Sequence, residues 1–203
     1  MDAPIEFCAL KYLYQWQSTE RDLYRQIKND PTQEDLRKAL SYFRVARNFP
    51  GLNAENNSTP ALSALFRIRA RQNLSAIEKV IALADDFECE YKSFNLSAAS
   101  KLLWLSSRRP FLILDSRAVT ALTKRFGQRF DARNYAEYYG SWRTEYSKHE
   151  SKICEAVERL PKVRNLMPDW PLSDKQLLDL VTNPWFKERV FDTYLWEIGG
   201  IQK

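Results

Sequence analysis

Residues 97–122 read SAASKLLWLSSRRPFLILDSRAVTAL, and this stretch decides how the rest of the chain is interpreted. It predicts a short apolar helix, a basic connection, the apolar tetrad FLIL (residues 111–114) and a second helix that begins after Asp115. Asp is favoured at a helix N-cap because its side chain accepts a backbone N–H. The order helix, tetrad, Asp, helix is therefore the central prediction from the sequence.

Helical signals also dominate before this stretch. Apolar residues recur at helical spacing after Pro4, and Thr32 precedes the acids expected in a first helical turn. Ser75 and Glu78 have the spacing of a capping box, in which each residue satisfies a backbone N–H of the other. Each of these signals predicts the start of a helix.

Further signals locate the other helix boundaries. Pro60 follows Ser58 and Thr59 and suits a first helical position, while Gly127 and Pro161 suit helix ends. The tetrad is the only strand-like run, and four residues cannot build a sheet. We therefore predict an all-α, helical bundle-like fold of about eight to ten helices, in one domain spanning residues 1–203.

The composition excludes several classes of protein. The 203 residues are 44% hydrophobic and 28% charged, which is unlike a disordered or collagen-like chain. No apolar run is long enough for a membrane span, and the N-terminus lacks the basic region of a signal peptide. Cys8, Cys89 and Cys154 are too far apart for a CxxC metal site and favour a reducing cytoplasm.

Charge is distributed unevenly along the chain. Between Tyr91 and Phe130 there are eight Lys and Arg residues and a single acid, Asp115, so this segment carries +7 while the remainder carries −2. A basic segment in an otherwise balanced chain favours a polyanionic partner. A solvated basic surface without a partner explains the charge alone equally well.

The motif SAASKLLWL…PFLILDS, together with FDTYLWEIG near the C-terminus, resembles the helix-hairpin-helix DNA glycosylase superfamily. Within it the motif is most similar to the bacterial 8-oxoguanine-DNA-glycosylase-like branch, over about residues 91–127. The resemblance implies a monomeric enzyme that excises a damaged or modified base extruded from duplex DNA, without a cofactor or metal. It leaves open DNA repair or antiviral defence against modified phage DNA, in a cytoplasmic, nucleoid-associated setting.

Asp115 is the candidate catalytic carboxylate. Cleavage of an N-glycosidic bond builds positive charge on the deoxyribose, which a nearby carboxylate stabilises. The same group can orient or deprotonate an attacking water or amine. The alternative for this residue is an N-cap without a chemical role.

Lys101 is the second candidate catalytic residue. Bifunctional members of the superfamily place a Schiff-base lysine where this chain has Ser97, and Lys101 lies one helical turn later. The two positions are separated by about 6 Å along a helix axis. The sequence therefore favours attack by water, unless the Lys101 side chain folds back.

The remaining candidates are grouped by role. The family hairpin normally carries Gly-x-Gly, and here KSFNLS (residues 92–97) has Ser93 and Asn95 instead. Core packing is the alternative for Trp104, as it is the interpretation for Trp142, Trp185, Tyr194 and Trp196, and His149 is interpreted as structural. The candidates for DNA binding are Lys92, Asn95, Ser97, Arg108, Arg109 and Arg117, and those for the base pocket or wedge are Trp104 and Phe94.

Two other functions remain in view. A catalytically silent helix-hairpin-helix-like DNA-binding protein would share the fold and the basic segment. An all-α protein–protein adaptor explains neither the charge segregation nor the tetrad followed by Asp115.

Overall fold

The computed structural model describes residues 3–51, 60–166 and 172–200. Every regular element within these ranges is helical, so the predicted all-α fold is confirmed. The chain divides into two compact units. Unit 1 comprises Met1–Ser18, Asp115–Phe130 and Gly140–Lys203, and unit 2 comprises Thr19–Leu114 and Asp131–Tyr139.

The helices of unit 2 surround one deeply buried helix, α6. Its members are α2 (Arg21–Lys28), α3 (Gln33–Tyr42), α4 (Pro60–Ala70), α5 (Ala76–Tyr91) and α6 (Leu96–Ser107). Helices α2, α3, α4 and α5 all pack against α6, in which ten of 12 residues are buried. Such complete burial explains why α6 is apolar on nearly every face.

The predicted helix starts in unit 2 are confirmed. The Thr32 side chain caps α3 by accepting a hydrogen bond from the Asp35 N–H, and the Asp35 carboxylate accepts one from the Thr32 N–H. Ser75 and Glu78 form the predicted capping box of α5. Pro60 begins α4, whereas Ser58 and Thr59 lie outside the described residues.

The apolar tetrad is a segment of unit 2 that is neither helical nor paired as a strand among the described residues, and side chains satisfy several of its backbone groups. The Tyr135 hydroxyl accepts from the Leu112 N–H at 3.1 Å and donates to the Leu112 carbonyl at 2.7 Å. Tyr138 donates to the Ile113 carbonyl at 2.7 Å, and Ser100 accepts the Leu114 N–H at 3.0 Å. Buried backbone groups require such partners, so these three hydroxyls hold the tetrad in place.

Unit 1 is organised around its last helix. It contains α1 (Ile5–Gln15), α7 (Ser116–Thr120), α9 (Asp174–Val181), α10 (Pro184–Gly200) and most of α8 (Tyr135–Glu158). Helices α1, α7 and α9 each pack on α10. Aromatic rings of α1 and α8 also pack against α10. The ring centroids of Tyr12 and Phe186 are 4.9 Å apart, and those of Trp142 and Phe191 are 5.0 Å apart.

Helix ends in unit 1 follow the sequence signals. Helix α7 continues as a π-helical turn over Ala121–Arg125, and Gly127 then adopts a positive φ of 67°. Helix α8 ends at Glu158, just before Pro161 in the following 3-10 helix. None of the described helices has the length and apolarity needed to cross a membrane.

Candidate active site

Asp115 occupies the predicted N-cap of α7 in unit 1. Its Oδ1 accepts the Arg117 N–H at 3.0 Å, and its carbonyl accepts the Val119 N–H at 2.9 Å. The side chain is half-buried, so the carboxylate is held in place while part of it remains accessible. The structure therefore confirms the cap and leaves a chemical role for Asp115 compatible with its position.

Lys101 lies in α6 of unit 2 and is almost completely buried, with 3% of its surface exposed. Its Nζ donates to Ser97 Oγ at 2.8 Å, so the side chain folds back by one helical turn. The amine thus reaches the position at which the resemblance implies a lysine. Buried lysines are rare in proteins and call for a specific reason.

Phe43 lies near this amine within unit 2, and Phe43 in turn contacts Tyr42, whose hydroxyl bonds to a buried acid. Lys101 Nζ is 5.7 Å from the Phe43 ring centroid, and the Phe43 and Tyr42 rings pack edge to face at 5.0 Å. The Tyr42 hydroxyl donates to Glu20 Oε1 at 3.2 Å, and Glu20 is 1% exposed. Sequence reasoning missed these three residues because nothing in their local pattern distinguishes a buried polar position from a solvated one.

The segment before α6 does not present its polar groups as expected. Asn95 is 8% exposed and caps α6 by accepting the Ala98 N–H at 2.9 Å, so its side chain serves the helix and offers little surface to DNA. Lys92 is exposed with a left-handed φ of 56°, and its amine donates to the Cys89 carbonyl. A left-handed residue does occur in this segment, at Lys92 and not at Ser93 or Asn95, which replace the glycines of the family hairpin.

The candidate arginines have different environments. In unit 2, Arg108 is half-buried with its guanidinium 3.7 Å from the Tyr24 ring centroid, whereas Arg109 is exposed. In unit 1, the exposed Arg117 lies 3.8 Å from the Trp196 ring centroid. Stacking orders a guanidinium without neutralising its charge. Arg109 and Arg117 are better placed for phosphate contact than Arg108 because they are exposed and Arg108 is half-buried.

The aromatic candidates separate by burial. Trp104 is 2% exposed, which favours core packing over a wedge that inserts into DNA, and Phe94 is partly exposed. Trp142, Trp185 and Tyr194 are buried as predicted. The core interpretation is wrong for Trp196, which is 37% exposed.

His149 has a structural environment in unit 1, as predicted. Its ring lies 5.3 Å from Phe126 and 5.5 Å from Phe191, and Nδ1 is 2.8 Å from the Glu145 carbonyl. The three cysteines are free. Across residues 3–51, 60–166 and 172–200, no cluster of three or more His, Cys, Asp or Glu side chains is arranged to hold a metal ion.

No protein-family model, curated protein or solved structure matches this chain. The similarity to helix-hairpin-helix glycosylases therefore rests on the motif around residues 91–127 and on the C-terminal stretch.

Proposed function

We propose that the protein is a DNA glycosylase that cleaves the N-glycosidic bond of a damaged or modified base. The observation that carries the proposal is the state of Asp115, the only acid in the most basic segment of the chain. Its carboxylate is fixed by the Arg117 N–H yet remains partly accessible. A preoriented carboxylate is the group required beside a sugar that becomes positively charged.

The basic segment supports DNA as the partner. Seven of its eight cationic side chains are at least partly exposed, while Lys101 alone is buried. Exposed cations neutralise phosphates and release counterions, which supplies most sequence-independent affinity. Burial therefore makes Lys101 the cation of this segment least suited to phosphate contact.

We assign a second chemical role to Lys101. A lysine removed from water can lose its proton and become a nucleophile. Its fold-back onto Ser97 removes the distance on which the preference for water was based. In the amine route, Nζ of the neutral amine bonds to C1′ as the C1′–base bond breaks and the base leaves with its electron pair. The C1′–O4′ bond then opens to give an imine, and the two amine protons go to the base and to O4′.

The rings beside Lys101 support recognition of an extruded base. Phe43 and Tyr42 are partly exposed, and stacking on an aromatic ring contributes about 1–3 kcal/mol per base. The Glu20 carboxylate is buried and accepts the Tyr42 hydroxyl, so it orients the Tyr42 ring. Tyr42 and Phe43 are the proposed elements of base recognition, in place of Trp104.

The decisive experiment measures abasic-site formation on duplexes that each carry one oxidised, deaminated, alkylated or 5-substituted base. Asp115→Asn should lower the single-turnover excision rate by at least ~10²-fold. DNA affinity should stay the same or rise, because the change removes a negative charge. Asp131→Asn is the matched control, because Asp131 Oδ1 likewise accepts the N–H two residues later, from Arg133, at 2.8 Å.

The outcomes separate an enzyme from a DNA-binding protein. Salt-dependent binding without excision of any of these bases would contradict the proposal and identify the protein as a catalytically silent binder. Excision that is equally fast in wild type and Asp115→Asn, with lower thermal stability in the variant, would reduce Asp115 to a helix cap.

Borohydride distinguishes the two nucleophiles. If the Lys101 amine attacks, reduction of the imine during turnover should link the protein covalently to DNA. The adduct should disappear in Lys101→Gln and persist in Lys38→Gln, a control on the exposed side of α3. Abasic product without any adduct would show that water attacks.

A further inference from the structure

The end of α10 meets the start of α7 through backbone atoms. A Cβ added at Gly199 would lie on the Arg117 carbonyl oxygen, 2.8 Å from the carbonyl carbon and 3.2 Å from the Ala121 nitrogen. Separations under 3.0 Å essentially never occur for real Cβ atoms. Backbone atoms cannot rotate away as a side chain can, so this contact requires glycine.

The residue against which Gly199 packs is also the residue that holds Asp115. The Arg117 carbonyl faces Gly199, and the Arg117 N–H donates to Asp115 Oδ1 at 3.0 Å. The Arg117 guanidinium is held by the same helix, 3.8 Å from the Trp196 ring centroid. A shift of the Arg117 backbone would therefore move the hydrogen bond that orients the carboxylate.

Of the two helices, α7 is the one that would yield. Helix α10 has 17 residues, most of them buried, and Glu197 pairs with Lys11 of α1. The ammonium group of Lys11 also lies 4.7 Å from the Trp196 ring centroid. Helix α7 and its π-helical continuation have ten residues, of which only Ala118, Ala121 and Leu122 are buried. An added methyl group at position 199 would accordingly displace α7 and its N-cap.

We propose that Gly199 is a positioning residue for Asp115, setting the place of the carboxylate through the backbone of Arg117. The inference rests on the proposed glycosylase function, because it assumes that Asp115 acts on the sugar. Gly199 itself touches no reacting atom. Its contribution is the absence of a side chain where two helices come into backbone contact.

The test compares Gly199→Ala with Gly140→Ala. Gly140 lies in α8 of the same unit and has open space around an added Cβ, so this control makes the same substitution without a contact. Gly199→Ala should slow single-turnover excision about 10–100-fold, the effect of misplacing a catalytic group by a fraction of an ångström to 1 Å. DNA affinity should change less than about threefold, because no phosphate contact is removed.

A double-mutant cycle separates positioning from general loss of stability. If Gly199 acts through Asp115, Gly199→Ala should cause little further loss of excision in the Asp115→Asn background. Multiplicative losses in the double variant would overturn the proposal. Gly200→Ala is the milder variant if Gly199→Ala does not fold, because its Cβ would meet only the movable Arg117 guanidinium.

A readout independent of catalysis keeps the two proposals distinguishable. The Arg117 amide donates to Asp115, so Asp115→Asn should shift the Arg117 amide NMR signal in the wild-type and Gly140→Ala backgrounds. That shift should be lost in the Gly199→Ala background. A wild-type protein that excises no base refutes the glycosylase proposal, whereas an unchanged Arg117 response to Asp115→Asn in folded Gly199→Ala refutes the positioning role.

Discussion

The apolar tetrad precedes Asp115 and α7 follows it, and the two segments are anchored by different kinds of contact. Hydroxyl groups of Tyr135, Tyr138 and Ser100 hold the backbone of the tetrad. Helix α7 instead packs against a position without a side chain, Gly199. The first anchor is a set of hydrogen bonds, and the second is close van der Waals packing between two backbones.

The difference teaches how each segment tolerates change. A hydrogen bond lost from the tetrad leaves a buried donor or acceptor, with a cost that scales with the number of groups left unpaired. A clash at Gly199 shifts a helix as a whole, because packed backbones are not continuously deformable. Loss of one hydroxyl should lower stability, whereas the added methyl should change geometry first.

The largest expected effect on stability is that of Tyr135→Phe. The variant keeps the buried ring but leaves both the N–H and the carbonyl of Leu112 without their described partner. At about 1–3 kcal/mol for each unsatisfied group, the free energy of unfolding should fall by about 3 kcal/mol. Denaturant unfolding measures this loss.

Two companion variants sharpen the tetrad side of the comparison. Tyr138→Phe removes one described backbone hydrogen bond, to the Ile113 carbonyl, and should cost about half as much. Tyr14→Phe removes a hydroxyl from a side chain on α1 that is 64% exposed and should change stability by less than about 0.5 kcal/mol. Equal losses in Tyr135→Phe and Tyr14→Phe would show that the hydroxyls do not anchor the tetrad.

The next effect is on the pH dependence of stability. Helix α10, which contains Gly199, also contains a buried titratable group, whereas the tetrad is held by neutral hydroxyls. Burial raises the pKa of the Asp192 carboxyl to about 6, against the opposing attraction of Arg189 and the hydrogen bond from Trp142 Nε1. Glu188, which pairs with Arg143, raises the pKa further. The folded state therefore binds this proton more tightly than the unfolded state, whose pKa is near 3.8.

Stability from this group is present at low pH and is lost as pH rises towards 6. Between pH 4 and pH 6 the loss should be on the order of 2 kcal/mol, at about 1.4 kcal/mol per pKa unit. Asp192→Asn cannot titrate, so its stability relative to wild type should improve by that amount over the same interval. A wild-type-to-variant difference that is constant with pH would contradict the shifted pKa.

The smallest expected effect is on DNA affinity and compares neighbouring arginines before the tetrad. Arg109→Ala should flatten the slope of log K against log salt by about 0.9, the value for one phosphate contact on duplex DNA. Arg108→Ala should leave the slope nearly unchanged, because its guanidinium is half-buried against Tyr24. Equal changes in the two variants would show that Arg108 leaves Tyr24 when DNA binds.

Local features could be predicted from the sequence, and long-range ones could not. Caps at Thr32, Ser75 and Asp115 depend on bonds within two or three residues, so their spacing is visible in the chain. Tyr135 contacts a tetrad residue 23 positions away, and no periodicity encodes that pairing. The strand-like pattern of the tetrad does not predict which side chains pair with its backbone N–H and carbonyl groups.

Side-chain direction limited the prediction of the candidate site. Spacing placed Lys101 one turn from Ser97, and only its observed conformation brings the amine within 2.8 Å of the Ser97 hydroxyl. Trp196 follows the apolar pattern of α10, yet its ring is partly exposed and contacts two cations, Lys11 and Arg117. A pattern of residue types predicts a face of a helix, but not which cationic side chains cover its edge.

The pairing of α1 with α10 has a consequence for synthesis of the protein. Lys11 and Glu197, which join these helices, are 186 residues apart. At about 5–20 residues per second, on the order of 10–40 s separate the appearance of α1 from that of its partner. During that interval Cys8, Tyr12 and Leu13, which are fully buried in the finished protein, have no α10 to cover them. The nascent chain therefore exposes the apolar face of α1, a surface that chaperones bind, long before α10 can pack against it.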